Sequence, residues 1–448
     1  MKNTQKIIII FIFFVAIYAC STKKDTIINR NYHALTTKYN VLFNGKEAFK
    51  QGIEDINNQY KDDWFQQLPI EPIQFEEDKI AIPKFNNSGP GAGFGGSNTK
   101  SEEKKALTTF EKAEDKAIKA IQKHGMNIDG MEHNRQIDDA YLLLGKSRYY
   151  SQRFVPAVEA FNYVIANYPN ANLIAETKIW RAKAAIRMDN EERAIETLKL
   201  LLVVRDTLEA NLPEKIKEQG HTALAMAYVK SDSLQKAKEH LHLATRTLQN
   251  RAQGARNLFV LGQLYSQENK KDSASLVFQR LANFKKAPYK YKIRAHVELA
   301  KNATNDSIAA IVLEQLNKLI KVRENRPYLD ALYYQRGVLY QNKDSIQLAI
   351  KDYNQSLRTK DAGVKQKTFT YEKLANLSFK ADEYQKASAY YDSVLQIAKD
   401  TLNLRIRRIK RKHKNLASLI DFEKVVATNT VKGQVTIPKQ IRDALGLH

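Results

Sequence analysis

The chain has 448 residues, with 72 Lys and Arg against 49 Asp and Glu (net +23), one cysteine, 17 glycines and 10 prolines. Glycine and proline fall below their average usage of roughly 7% and 5%, and 27% charged with 43% hydrophobic residues suits long amphipathic helices; an all-β sandwich and global disorder are both disfavoured. Because Cys20 is the only cysteine, no intramolecular disulfide, cysteine zinc site or cysteine-held cluster can form.

In chain order, Lys2 and Lys6 precede an uncharged run from Ile7 to Ala19, and Cys20 follows. Thirteen helical residues reach only about 20 Å, short of a hydrocarbon core of roughly 30 Å, so the segment reads as a signal peptide (1–19) ending in a lipobox. Cys20 is then the acylated first residue of the mature chain, and residues 20–85 form a lipid-tethered N-terminal segment. Export also argues against ATP- or NAD-dependent chemistry. Gly91, Gly93 and Gly96 satisfy a G-x-G-x-x-G pattern, but NNS precedes it and SNTKS follows, where a dinucleotide loop needs a strand and a helix start. Residues 86–100 therefore read as a Gly/Asn/Ser-rich linker, followed by an amphipathic helix and a turn over 101–134.

From 135 the apolar spacing is helical, and a small residue recurs with a second small residue twelve positions on and a bulky one four further. The sets are Gly145/Ala157/Phe161, Ala182/Ala194/Leu198, Ala225/Ala237/Leu241, Gly262/Ala274/Phe278, Gly337/Ala349/Tyr353 and Ala375/Ala387/Tyr391, with a degenerate Ala300/Val312/Leu316. This regularity marks a repeat array. Tyr141, Leu144, Gly145, Ala157, Phe161 and Pro169 resemble the tetratricopeptide repeat, as do Leu261, Gly262, Tyr265, Ala274 and Phe278. An all-α, tetratricopeptide-like solenoid of about seven helix pairs is predicted over 135–404, with the start of a further pair over 405–428. The spacings exceed the family's usual repeat length, which implies extensions between repeats. In that family the first helix of each pair lines the concave face, which makes Tyr149, Phe259, Tyr334 and Phe379 candidate partner-binding residues; packing between repeats is the competing assignment.

No catalytic constellation emerges. His240 and His242 lie on different sides of a helix, His124 and His133 flank a probable turn without a third ligand, and the carboxylates are scattered, so no metal, cofactor or small-molecule substrate is expected. The basic run from Arg405 to Lys414 reads as a solvated face or a patch for an acidic partner, with anionic lipid or cell-wall polymer also available; nucleic acid is not expected. Thr430 to Leu447 (TVKGQVTIPKQIRDALGL) resembles the first half of an AbrB/MazE-type DNA-binding module. The module needs further strands and a second copy, so this tail (429–448) is expected to form no packed domain of its own.

Four stretches carry a wider resemblance: Tyr32–Gly52 (YHALTTKYNVLFNGKEAFKQG), Asp62–Pro72 (DDWFQQLPIEP), Lys112–Met126 and Ile137–Val164. Together they resemble the SprE/PorW lipoprotein family of gliding motility and type IX secretion over residues 1–428. Gly125 stands where that family usually has serine, and the Gly-rich segment looks like an insertion. The resemblance implies a non-enzymatic scaffold that is lipid-anchored on the periplasmic face of the outer membrane and links protein components of the secretion and motility apparatus. A cell-wall-binding adaptor, or a DNA-binding regulator acting through the tail, are the alternatives.

Overall fold

A computed structural model describes residues 21–73, 108–202, 212–303, 306–360, 362–400 and 402–431. Cys20, the Gly-rich linker and nearly all of the AbrB-like tail lie outside them. The chain divides into two compact units, 1–269 and 270–448, and each is described by itself.

The first unit opens with α1 (Ile27–Thr36), started by the Thr26 side chain accepting from the Asn29 amide. A π-helical turn (Thr37–Leu42) runs into α2 (Phe43–Gln59). The buried Thr37 hydroxyl donates to the His33 carbonyl at 2.6 Å and accepts from Asn134 Nδ2 at 3.1 Å, which ties the widened turn to a distant loop. α3 (Thr109–His124) begins at a reciprocal capping box between Thr108 and Glu111. Val41 and Leu42 join Ala117, Ala120, Ala140, Leu143 and Leu144 in one apolar cluster. The turn read at 124–133 is a two-residue hairpin: Asn127–Ile128 pairs with Met131–Glu132, and Asp129 and Gly130 both take positive φ, as a tight I′ turn requires.

Helix pairs follow: α4 (Ile137–Tyr150) with α5 (Phe154–Asn167), α6 (Ile174–Arg187) with α7 (Glu191–Leu202), and α8 (Glu214–Lys230) with α9 (Leu234–Ala244), before α10 (Arg251–Gln267). The repeat positions explain the pairing. A Cβ added to Gly145 would lie 2.3 Å from the ring of fully buried Phe161, so the two helices of the first pair cross where only hydrogen fits. Ala157, Ala194 and Ala237 are buried at the matching places, with Phe161, Leu198 and Leu241 beside them.

The second unit opens with α11 (Lys271–Asn283) and repeats the scheme. It contains α12 (Tyr289–Lys301), α13 (Asp306–Lys321), a 3-10 turn (Arg323–Tyr328), α14 (Leu329–Asn342), α15 (Ile346–Arg358), α16 (Val364–Lys380) and α17 (Tyr384–Ile397). Gly337 approaches the buried Tyr353 ring as Gly145 approaches Phe161, with a would-be Cβ at 2.8 Å. One continuous helix, α18 (Leu404–Val431), packs Ile406, Ile409 and Leu416 against Ala387, Tyr391 and Val394; it ends inside the AbrB-like stretch. Among the described residues no helix is long and apolar enough to cross a membrane.

The turns inside most of the described pairs show a second periodicity. Gln152, Asp189, Asp232, Asp344 and Asp382 have φ between 54° and 62°, and each lies seven residues after the small residue of its repeat. The following amide reaches back to close the helix, as from Asn190 to the Ala185 carbonyl (3.0 Å), Ser233 to Tyr228 (2.8 Å) and Glu383 to Ser378 (2.9 Å). Asp and Asn tolerate this left-handed conformation better than other chiral residues. Gln152 lacks that tolerance, so Gln152→Gly is expected to stabilise the protein by about 0.5–1 kcal/mol in denaturant titrations. A loss instead would show that the glutamine side chain has a role beyond the turn.

Candidate functional site

The first helices of the pairs in the first unit carry a row of long polar and aromatic side chains, and the row is occupied. Residues 60–73 leave α2 and run as a strap across α10, α6 and α4. On α10, Gln263 reads the strap's main chain twice, accepting from the Leu68 amide and donating to the Gln66 carbonyl, both at 2.9 Å. Gln253 donates to the Ile70 carbonyl at 2.8 Å. Arg256 donates through Nε to the Pro69 carbonyl and through Nη1 to Asp62, each at 2.7 Å. The Arg256 and Asp62 side chains are each only 1% exposed. Trp64 meets Phe259 edge-to-face at 5.1 Å. Leu68 and Ile70 are buried while Pro69 between them is exposed, the two-residue alternation of an extended chain.

The far end of the strap is held by charge. Glu71 is buried against Lys183 and against Arg187 at 2.6 Å, both from α6, and accepts from the Tyr149 hydroxyl of α4 at 2.6 Å. Burial alone would push the Glu71 carboxyl up; the Lys183 ammonium and Arg187 guanidinium overcome this and hold it at about 2. Burial pushes the Lys183 ammonium down, and Glu71 opposes that shift. Lys183 also lies 3.8 Å above the Trp180 ring, and Ile73 packs into the cluster of Tyr149, Phe161 and Trp180.

The candidate partner residues separate by unit. Tyr149 and Phe259 each contact the strap, through Glu71 and Trp64, and both are 0% exposed, so neither is open to a partner in this structure. In the second unit Tyr334 is half-buried against Tyr353, with ring centroids 5.8 Å apart. Phe379 is 44% exposed and touches Tyr384 edge-to-face at 5.7 Å. Cys20 lies outside the described residues. Arg256, Gln263, Lys183, Arg187 and the strap leave no mark in the repeat spacing; the sequence signal for them is the D-D-W-F…L-P-I-E-P string, whose two prolines belong to extended chain.

Four histidines pair across helices. His33 and His124 approach Nδ1 to Nδ1 at 3.1 Å, as do His221 and His240. Burial pushes all four imidazoles down, His221 to about 4, so both pairs are neutral near pH 7. Among the described residues no group of three or more His, Cys, Asp or Glu side chains could hold a metal ion. On α18, Arg407, Arg408, Lys410, Arg411, Lys412 and Lys414 are exposed, while Ile406, Ile409 and Leu416 pack with α17.

The family model described as "Tetratricopeptide repeat" matches residues 331–361, which cover most of α14 and α15. No curated protein matches the chain. Among solved structures, the chain is similar to a tetratricopeptide repeat protein from Parabacteroides merdae, at 14% identity over 62% of this chain and 98% of that one, with a TM-score of 0.39. It is also similar to the APC/C hetero-tetramer Cut9-Hcn1, at 15% identity, covering 73% of this chain and 57% of that one, with a TM-score of 0.33. Residues 331–361 are thus a tetratricopeptide repeat, a class whose stacked helix pairs typically bind protein partners, and the described helix pairs before and after it follow the same small-residue spacing; the described strands are those of the hairpin at 127–132.

Proposed function

We propose that the chain is a non-enzymatic lipoprotein scaffold of the type IX secretion and gliding motility machinery. In this reading Cys20 carries the lipid, the protein sits on the periplasmic face of the outer membrane, and the helix pairs hold protein components of the apparatus. The observation that carries the scaffold part is the first unit's groove, whose side chains bind the backbone of an extended segment through Gln253, Arg256 and Gln263. The cellular role rests on the resemblance of residues 32–52, 62–72, 112–126 and 137–164 to the SprE/PorW family. The strap is one of those stretches, so the segment that supports the resemblance is also the one that fills the groove.

Cys20→Ser tests the anchor. The variant is expected to leave the outer-membrane fraction and to lose co-purification of secretion components from detergent-solubilised membranes. If it still fractionates with the outer membrane and complements a null strain fully, the lipoprotein reading fails.

A further inference from the structure

We propose that the groove across α4, α6 and α10 is an exchangeable peptide site whose outside ligand is an extended, carboxylate-bearing segment of a partner protein, and that residues 62–71 occupy it as a built-in competitor. The inference deepens the scaffold reading by naming the ligand chemistry, and it depends on no particular apparatus.

Three observations carry it. First, the recognition is of the kind used for peptides. Gln253, Arg256 and Gln263 hold three carbonyls and one amide of the strap, and these groups are present in any extended chain. Secondly, the groove is cationic at both ends. With the strap removed, Arg256 would lose Asp62, and Lys183 and Arg187 would lose Glu71. A replacement with two carboxylates about nine residues apart, an aromatic residue near the first and alternating aliphatic residues before the second would restore these ion pairs. Thirdly, the strap is a self-contained stretch of chain. It makes no helix, its own main-chain hydrogen bonding is sparse, and the apolar clusters of α4 and α5 are built mainly from other residues.

Tethering raises the strap's effective concentration at the groove to the mM range. A free peptide that binds the empty groove at about 10 μM would then be weakened on the order of 100-fold by the intact strap. An outside ligand would have to exceed this, by affinity or by contacts elsewhere, before it displaced the strap.

The test uses the full chain and a fluorescein-labelled synthetic peptide of residues 60–73 as probe. A strap-weakened variant, Trp64→Ala with Glu71→Gln, is expected to bind the probe on the order of 100-fold more tightly than the wild type. Adding Arg256→Ala to that variant should abolish the gain. A folded variant that binds no probe, or a wild type that binds it equally well, overturns the proposal. Concentration-dependent dimerisation of the variant without probe binding would assign the exchange to a second copy and overturn the partner reading. Should the variant not fold, hydrogen exchange on the wild type decides. The Leu68 amide, bonded to Gln263, is expected to exchange at least 10-fold faster than the amides in the centre of α4. Exchange of Leu68 only together with that core would mean that the strap never leaves.

Discussion

Replacing Glu71 by alanine is expected to destabilise the first unit by about 2–3 kcal/mol, the free energy of a roughly 100-fold strap-docking equilibrium and the lower edge of what breaking one side of a buried ion pair costs. Its carboxylate is the counter-ion of both Lys183 and Arg187 in a place where neither is well hydrated. Holding its pKa at about 2, against an ordinary 4.5, corresponds by linkage to about 3 kcal/mol, which agrees with that range. The sign follows from the direction of the shift. A carboxyl whose folded-state pKa is depressed contributes its stability above pH 4.5 and loses it as pH falls toward 2. Denaturant titrations of wild type and Glu71→Ala should therefore differ most near neutral pH and converge in the acid limb. A difference under about 1 kcal/mol at pH 7, or one that persists unchanged at pH 2.5, would contradict this account. Detachment of the strap sets an upper limit on the loss, because water can then reach Lys183 and Arg187.

Phe161→Ala is expected to cost about 3–5 kcal/mol, since the ring is fully buried between α4 and α5. Gly145→Ala is expected to cost about 1–3 kcal/mol, because its methyl would sit 2.3 Å from that ring. The informative result is the double mutant. With the ring gone, the new methyl enters vacated space, and alanine is the better helix former by about 0.8–1 kcal/mol. Gly145→Ala should then become neutral or stabilising in the Phe161→Ala background. A thermodynamic cycle that shows simple additivity would mean that the ring is not what excludes a side chain at position 145.

The fold was legible because its main constraint is local. A small residue where two helices cross, followed at twelve and sixteen positions by the residues that meet it, leaves a mark at fixed spacing. The left-handed turn residue seven positions on leaves another, although its variation between Asp and Gln makes it easier to overlook. The groove was less legible for a physical reason. Counting from Gly145 and Gly262 places Tyr149 and Phe259 on the inward face, but nothing in that count shows that residues 62–71 lie over them. An extended segment has no long-range period, and Arg256 reaches Asp62 across 194 positions of sequence. The histidine pairs were hidden similarly: His33 and His124 are 91 residues apart, so a search for ligands at motif spacing passes over them.

The turns within pairs are uniform, and those between pairs are not. Three residues separate the helices of every pair that contains a left-handed turn residue, from 151–153 to 381–383, whereas the connection from Leu202 to Glu214 is much longer than that from Asn283 to Tyr289. Chain length can therefore vary between hairpins without touching the crossing of Gly145 on Phe161 or Gly337 on Tyr353. For protein engineering, an epitope or a fluorescent domain belongs between two hairpins, where added residues leave every pair its own closure. The same cargo placed beside Asp189 or Asp344 would pull apart the two helices that the turn holds together.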